Sequence, residues 1–262
     1  MARQSVTDDS SDRPGRAVLL VCLATLCFVA MAVCVKALSA SLGVVEIIWG
    51  RYFFHLAITA LLFPAILRTF ASTPRRDLQI VRSVLVLGAT AFAFTALKYI
   101  PLATMTAIGF VGPIIVVTLA ALVLKEQVPP SRWFAVVLGF AGVLIILRPG
   151  VDTHWAMWLP ILMATCYACY QIMTRVLRGM ASPQVTLFYS ALVGTIVTTG
   201  LLPWHWQTPG VTEWAMMIAS GVFGGGGHLA LIKAYEWAPA SVAAPFVYSE
   251  LILSLIHISE PT

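Results

Sequence analysis

Runs of about twenty apolar residues alternate along this chain with short polar breaks, many of them containing Pro or Gly. A helix needs about 20 apolar residues to cross the hydrocarbon layer of a bilayer. By that measure the runs at 17–38, 44–67, 79–98, 102–124, 132–148, 154–175, 184–203, 212–235 and 239–256 predict about nine spans. The breaks are short: "RTFASTPRRD", "KEQVPPSR", "RPGVDTH", "RGMASP" and "LPWHWQTPGVTE". Strand-like alternation is absent, which argues against a membrane β-barrel.

Composition agrees. Of 262 residues, 60% are hydrophobic and 10% charged, against about 25% charged in a soluble domain. The expected class is therefore an all-α integral membrane protein. The opening "MARQSVTDDSSDRPGR" is polar and mixed in charge, so residues 1–16 are expected to form a disordered tail. "KALSAS" offers small residues after the first apolar run, as a signal-peptide cleavage site would. That run, about twenty residues, is too long for a typical signal-peptide core and reads as a retained span.

Charge adds an orientation. Lysines and arginines near span ends favour the cytoplasmic side. With the N-terminus inside, the inner segments hold eleven: Arg3, Arg13, Arg16, Arg68, Arg75, Arg76, Arg82, Lys125, Arg132, Arg175 and Arg178. The outer segments hold three, Lys36, Lys98 and Arg148. A cytoplasmic N-terminus is the prediction. The net charge of +5 comes without a basic run interleaved with aromatics, so nucleic acid is not an expected partner. The five cysteines all lie in apolar runs, and "CYAC" has no second pair and no βαβ context. They read as packing residues, without disulfide, metal or cofactor.

The chain carries an internal repeat. Pro101 aligns with Pro239 at an offset of 138, which sets Ala96 against Ala234, Tyr99 against Trp237 and Ala103 against Ser241. At an offset of 139, "CFVAMAVCVKAL" overlays "CYACYQIMTRVL", pairing Cys27 with Cys166, Phe28 with Tyr167, Lys36 with Arg175 and Leu38 with Leu177. One repeat holds five spans. Five is odd, so the second copy enters the membrane from the opposite face. Inverted repeats of this kind are common in transporters, with the solute site near the midplane between halves.

Several stretches together resemble the EamA-type transporters of the drug/metabolite transporter superfamily. They are Lys36 closing the first span, "EIIWGRYFF" with Glu46 and Arg51, "ALKYIPLATMTAIGFVGP", "LVLKEQVPPSRWFAVVLGFAGVLIILRPG" and "AYEWAPASVAAPFVYSE". The resemblance covers about residues 17 to 252 and implies two inverted repeats of five helices. The first would occupy 17–150 and the second 154–252. The second is expected to be incomplete, because the counterpart of Glu126 would fall near position 264, beyond the chain. The ending "LSLIHISEPT" resembles the translation of a sequencing-library adapter, so 253–262 is expected to be non-native, and His257 and Glu260 are set aside.

Ionisable residues inside spans are site candidates, because they are costly against lipid and usually face a cavity or a partner. Arg51 and His55 lie four apart, on one helical face. Either they bind an anionic group or relay a proton, or Arg51 snorkels outward and both make structural contacts. Glu46 reads as a carboxylate at the start of the second helix, where the helix dipole favours it. Lys98 and Tyr99 precede Pro101, and Glu236 and Trp237 precede Pro239. They read as paired gates or as interfacial anchors. His228 follows "GGGG", which lets helices approach closely, and stands as a cavity residue. Tyr167, Tyr170 and Gln171 place polar tips on one helix, for a cavity wall or for interhelical bonds. Pro113 and Pro245 fall within spans and are expected to kink them. Tyr248 and Glu250 follow Pro245, Glu250 as a proton or cation site.

All five aspartates, Asp8, Asp9, Asp12, Asp77 and Asp152, lie in the tail or loops, and neither a H-E-x-x-H nor a Walker motif occurs. The expectation is not an enzyme. It is a secondary transporter moving a small metabolite or drug-like solute by alternating access, by proton coupling or exchange, in a bacterial cytoplasmic membrane. The expected partners are a small-molecule substrate and the lipid bilayer, with a homodimer left open. The alternatives are a channel or scaffold, or an inactive truncated fragment.

Overall fold

The computed structural model describes residues 14–131, 133, 134, 137, 138, 141 and 154–239. Every regular element among them is helical. The longer helices are α1 (Pro14–Leu38), α2 (Val44–Leu62), α4 (Arg76–Tyr99), α5 (Leu102–Gly109), α6 (Val111–Val123), α7 (Leu159–Val176), α8 (Pro183–Leu201) and α9 (Val211–Trp237). A four-residue α3 (Ile66–Thr69) sits in the α2–α4 connection. Seven stretches among the described residues are long and apolar enough to cross a membrane. They match seven of the nine expected spans. Of the fifth, only scattered residues such as Trp133 and Leu138 are described, and they are helical. The ninth span beyond Pro239, with Pro245, Tyr248 and Glu250, and the 253–262 tail lie outside the described residues.

Proline sets several helix boundaries, and the break in the fourth span is the kink expected of Pro113. The second span ends at Leu62 rather than 67. Pro64 pushes the residue before it out of the helical region, and Phe63 stands at φ −130°, ψ 62°. The fourth span is broken at Phe110 into α5 and α6. Pro113 has no N–H for the Gly109 carbonyl, and its ring crowds that carbonyl. α1 begins at Pro14, earlier than the expected 17, with proline in a first-turn position where its missing N–H costs nothing.

The surface is inside-out relative to a soluble protein. Leu19, Leu61, Leu122 and Val211 are 69%, 80%, 71% and 89% exposed, while Arg51, His55, Gln79 and Arg82 are at most 1% exposed. Lipid is the solvent that makes this arrangement favourable. Aromatic rings gather where α2 and α9 begin. Trp49 stacks on Phe53 at 4.9 Å and meets Trp206 and Trp214 edge-on. At the same end Tyr99 lies 5.0 Å from Trp155. Such belts mark a membrane–water interface.

Packing follows a paired scheme. α1 lies along α9, and α4 lies along α7. α2 packs on α8 and α9, while α4 also packs on α8. Helices of the first half therefore pack mainly against helices of the second. Small residues permit this closeness: Ala17 and Ala24 on α1, Ala164 and Ala168 on α7, and Ala230 and Ala234 on α9 are all buried.

Candidate solute site

Several of the polar residues buried in this bundle join into one hydrogen-bonded chain. Arg51 on α2 donates through Nη1 to Thr90 Oγ1 on α4 at 2.9 Å, through Nη2 to His228 Nε2 on α9 at 2.8 Å, and through Nε to Met31 Sδ on α1 at 3.1 Å. His228 Nδ1 lies 3.0 Å from the Tyr170 hydroxyl on α7. That hydroxyl also receives Arg82 Nη2 from α4 at 2.8 Å. Arg82 continues to Thr174 Oγ1 (2.7 Å), Ser190 Oγ (2.8 Å) and the Thr186 carbonyl (3.1 Å). Five helices from α1 to α9 and α8 as a sixth meet in this chain.

Donor logic fixes its proton positions. A guanidinium has five N–H donors and no acceptor, so the ring nitrogen facing Arg51 must accept. His228 is then the neutral tautomer with its proton on Nδ1, donating to Tyr170. Thr90 Oγ1 donates to the Val86 carbonyl at 2.8 Å and accepts from both Arg51 and the Tyr52 hydroxyl (3.0 Å). The guanidinium carbon of Arg51 stands 4.5 Å over the Tyr52 ring.

The glycine run makes room for these side chains. A Cβ on Gly224 would come within 2.9 Å of Arg51 Nε, one on Gly225 within 2.9 Å of His55 Cδ2, and one on Gly227 within 2.6 Å of Phe28 Cε1. One turn earlier, a Cβ on Gly221 would lie 2.7 Å from Phe54 Cβ. α9 is thus bare where α1 and α2 press their functional side chains against it.

A cavity of about 170 Å³ opens beside the chain, between α1, α2, α4, α5, α6, α7 and α9. Its polar wall is Arg51, Thr90, His228, Tyr167 and Gln171, with Thr25 and Thr106. Phe28, Met31, Phe94, Met105 and Met163 supply much of the apolar remainder. Gln171 accepts the Tyr235 hydroxyl.

The sequence candidates fall into three groups. Arg51, His228, Tyr167 and Gln171 line the cavity, and Arg51 is 1% exposed rather than snorkelling outward. Tyr170 and His55 lie behind it. Tyr170 links His228 to Arg82, whereas the His55 ring lies parallel to that of His228 at 6.5 Å and neither of its nitrogens has a hydrogen-bond partner among the described residues. Lys98 and Tyr99 are exposed at the end of α4, and Glu236 and Trp237 half-buried at the end of α9, away from the cavity. Glu46 accepts the Gly43 N–H at 3.0 Å and the Gln207 N–H, as a capping carboxylate should.

Arg82 needs correcting. Counted as an interfacial positive charge, it is in fact fully buried. The signal was present in the spacing of Gln79, Arg82, Ser83 and Thr90, which puts a polar stripe on one face of α4, all of it buried. Without Arg82 the charge bias stands at ten against three, and its direction is unchanged.

Lys36 and Arg175 occupy matching places. Lys36 Nζ donates to the Leu97 carbonyl at 2.7 Å, and Arg175 Nη1 donates to the Tyr235 carbonyl at 2.8 Å. In a continuing helix those carbonyls would bond the N–H four residues on. Those residues are Pro101 and Pro239, which have none. A cation from α1 or α7 takes each place.

The model of the EamA-like transporter family matches residues 15–148 and 154–258. An S-adenosylmethionine uptake transporter of Rickettsia prowazekii (strain Madrid E) is 29% identical over 84% of this chain and 76% of its own length. A riboflavin transporter of Vibrio cholerae is 34% identical over 62% of this chain and 55% of its own length. The pseudopaline exporter CntI of Pseudomonas aeruginosa (strain UCBPP-PA14) is 27% identical over 90% of this chain and 84% of its own. These relatives are named as transporters and not as enzymes. A solved crystal structure shares the fold, with a TM-score of 0.70 over 95% of this chain and 90% of that chain at 15% identity.

Proposed function

Because the chain belongs to the EamA-like transporter family, we propose that it is a secondary transporter moving a small-molecule solute by alternating access. The observation that carries this reading is the Arg51–His228–Tyr170–Arg82 chain beside the cavity. It crosses from the helices of the first half to those of the second. Rocking one half on the other would break and remake these bonds, which is how an interfacial site is exposed to each side in turn.

The reading includes two inverted repeats of five helices, at 17–150 and 154–252, and about nine spans. The packing of α1 on α9 and of α4 on α7 supports it, since the first and third helices of each half then exchange partners. The Lys36–Leu97 and Arg175–Tyr235 bonds support it too, at offsets of 139 and 138 residues. The protein would sit as a multi-pass protein in a bacterial cytoplasmic membrane, with the N-terminus in the cytoplasm. His55, four residues from Arg51 and parallel to His228, is the proposed coupling group. The gating role of Lys98, Tyr99, Glu236 and Trp237 belongs to the same proposal, as do Tyr248 and Glu250 as site residues and a homodimer as the assembly.

Proteoliposome counterflow tests it. S-adenosylmethionine and riboflavin, the solutes named for two relatives, are the first to try. A carrier accelerates uptake of labelled solute when unlabelled solute is loaded inside. Saturable uptake without acceleration by trans solute, across a broad panel, would overturn alternating access in favour of a channel.

A further inference from the structure

Among the described residues the buried chain holds two guanidinium groups and no carboxylate. Arg51 and Arg82 are 1% and 0% exposed. Among the described residues the buried carboxylate is Glu46, and its oxygens are taken by Gly43 and Gln207. The acceptors around both arginines are neutral: hydroxyls, a carbonyl, an imidazole and a thioether. Ring faces of Tyr52, Phe94 and Tyr170 lie 4.5, 5.9 and 4.4 Å from the guanidinium carbons and offset part of the charge. A buried charge without an opposite charge is costly, and costs less once an anion joins it.

The two arginines differ in what they still offer. Arg82 spends four bonds on Thr174, Thr186, Ser190 and Tyr170, and it does not line the cavity. Arg51 does line it. Among the described residues three of its N–H groups are bonded, leaving two of the five donors of a guanidinium. One of the three goes to Met31 Sδ, a weak acceptor that an oxyanion would outcompete. Gln171 adds an amide donor to the same wall.

The rest of the cavity defines the body of the ligand. Phe28, Phe94, Met105 and Met163 make it apolar, and Phe28 meets Tyr167 edge-on at 6.3 Å. Its volume of about 170 Å³ is close to that of the engineered cavity of about 150 Å³ that binds benzene.

We propose that Arg51 is an anion-binding residue of this cavity, and that the solute class is a small apolar monocarboxylate. The carboxylate meets the Arg51 guanidinium, and the apolar body lies against Phe28, Phe94 and Tyr167. This rests on the reading of the cavity as the transport site, but it is tested by binding alone.

Three near-isosteric probes separate the charge states: phenylacetate, phenylacetamide and phenethylammonium. Binding is measured by calorimetry on the detergent-solubilised full chain. Phenylacetate is expected to bind about tenfold or more tightly than phenylacetamide, since charge-assisted bonds are roughly twice as strong as neutral ones. Phenethylammonium is expected not to bind. In Arg51→Gln the acid–amide ratio should fall to about one, and Arg51→Lys should keep part of it as a point charge without the fork. Gel filtration and circular dichroism report whether each variant folds. The wild-type comparison stands without them: equal binding of acid and amide, or preference for the cation, overturns the proposal. So does an acid preference that survives in folded Arg51→Gln. Counterflow of neutral or cationic solutes without acid binding would sink the anion class and leave transport standing. Acid binding without counterflow of any solute would do the reverse.

Discussion

Arg51 and His228 lie 177 residues apart in sequence and 2.8 Å apart in space, guanidinium to imidazole. The bond ties α2 to α9. Because arginine can only donate, it also fixes His228 as an acceptor at Nε2. A hydrogen bond to a charged group contributes about 1.5–3 kcal/mol. Arg51→Met and His228→Phe should therefore be non-additive by about that amount in a double-mutant cycle read by denaturation in mixed micelles. Additivity within about 0.5 kcal/mol would show that the bond does not form.

The glycines of α9 give a prediction with opposite signs at near neighbours. A Cβ on Gly221 would sit 2.7 Å from Phe54 Cβ and 3.0 Å from the His55 backbone nitrogen. Backbone cannot swing aside, so Gly221→Ala should lose about 1–3 kcal/mol, as overpacked cores do. A Cβ on Gly226 would meet Cys27 Sγ at 3.9 Å, an ordinary contact. Gly226→Ala should gain up to about 1 kcal/mol from helix propensity. Melting curves of the two variants in one detergent check both. Equal shifts in the same direction would contradict the packing of α9 on α2.

Apolar run length carried much of this fold into the sequence, because a helix in lipid must satisfy its own backbone and span a fixed thickness. Seven of the runs coincide with described helices that could cross a membrane. The misplaced boundary at Leu62 traces to Pro64, and the break at Phe110 is the kink expected of Pro113; in both the proline acts on residues preceding it. For the site, Arg51, His228, Tyr167 and Gln171 were legible as polar groups in apolar runs. Arg82 was missed although its spacing with Gln79, Ser83 and Thr90 carried the signal, because it sits within two turns of a polar loop and reads equally as an interfacial charge. Tyr52 and Thr90 are ordinary span residues until the fold brings them to Arg51. No local pattern encodes that meeting.

Glu46 ties two segments at the aromatic end of the bundle. One oxygen accepts the Gly43 N–H at 3.0 Å and the other accepts the Gln207 N–H from the α8–α9 connection. An amide offers one acceptor in place of two and would present an NH2 to a backbone N–H. Glu46→Gln should cost about 1–3 kcal/mol, as an unsatisfied buried donor does, and should loosen the 205–210 connection. Limited proteolysis and thermal melts read the two effects. An unchanged melt would mean that the carboxylate is not holding this connection.

The braces at Leu97 and Tyr235 make the two halves comparable in one experiment. Each carbonyl lacks its usual helical partner because the residue four on is proline, and each is met by a cation, Lys36 from α1 or Arg175 from α7. Lys36→Met leaves the Leu97 carbonyl unpaired and should cost about 1 kcal/mol. Lys36→Arg keeps a donor and should cost much less. Arg175→Met removes the same bond in the second half and also a guanidinium nitrogen 3.9 Å from Glu126 Oε1, so its loss should be the larger of the two. Paired melts of the three variants check the ordering. If the halves are related as proposed, both Met variants destabilise. If Lys36→Met is silent while Arg175→Met is not, the matching bonds are coincidental and the repeat loses its structural support.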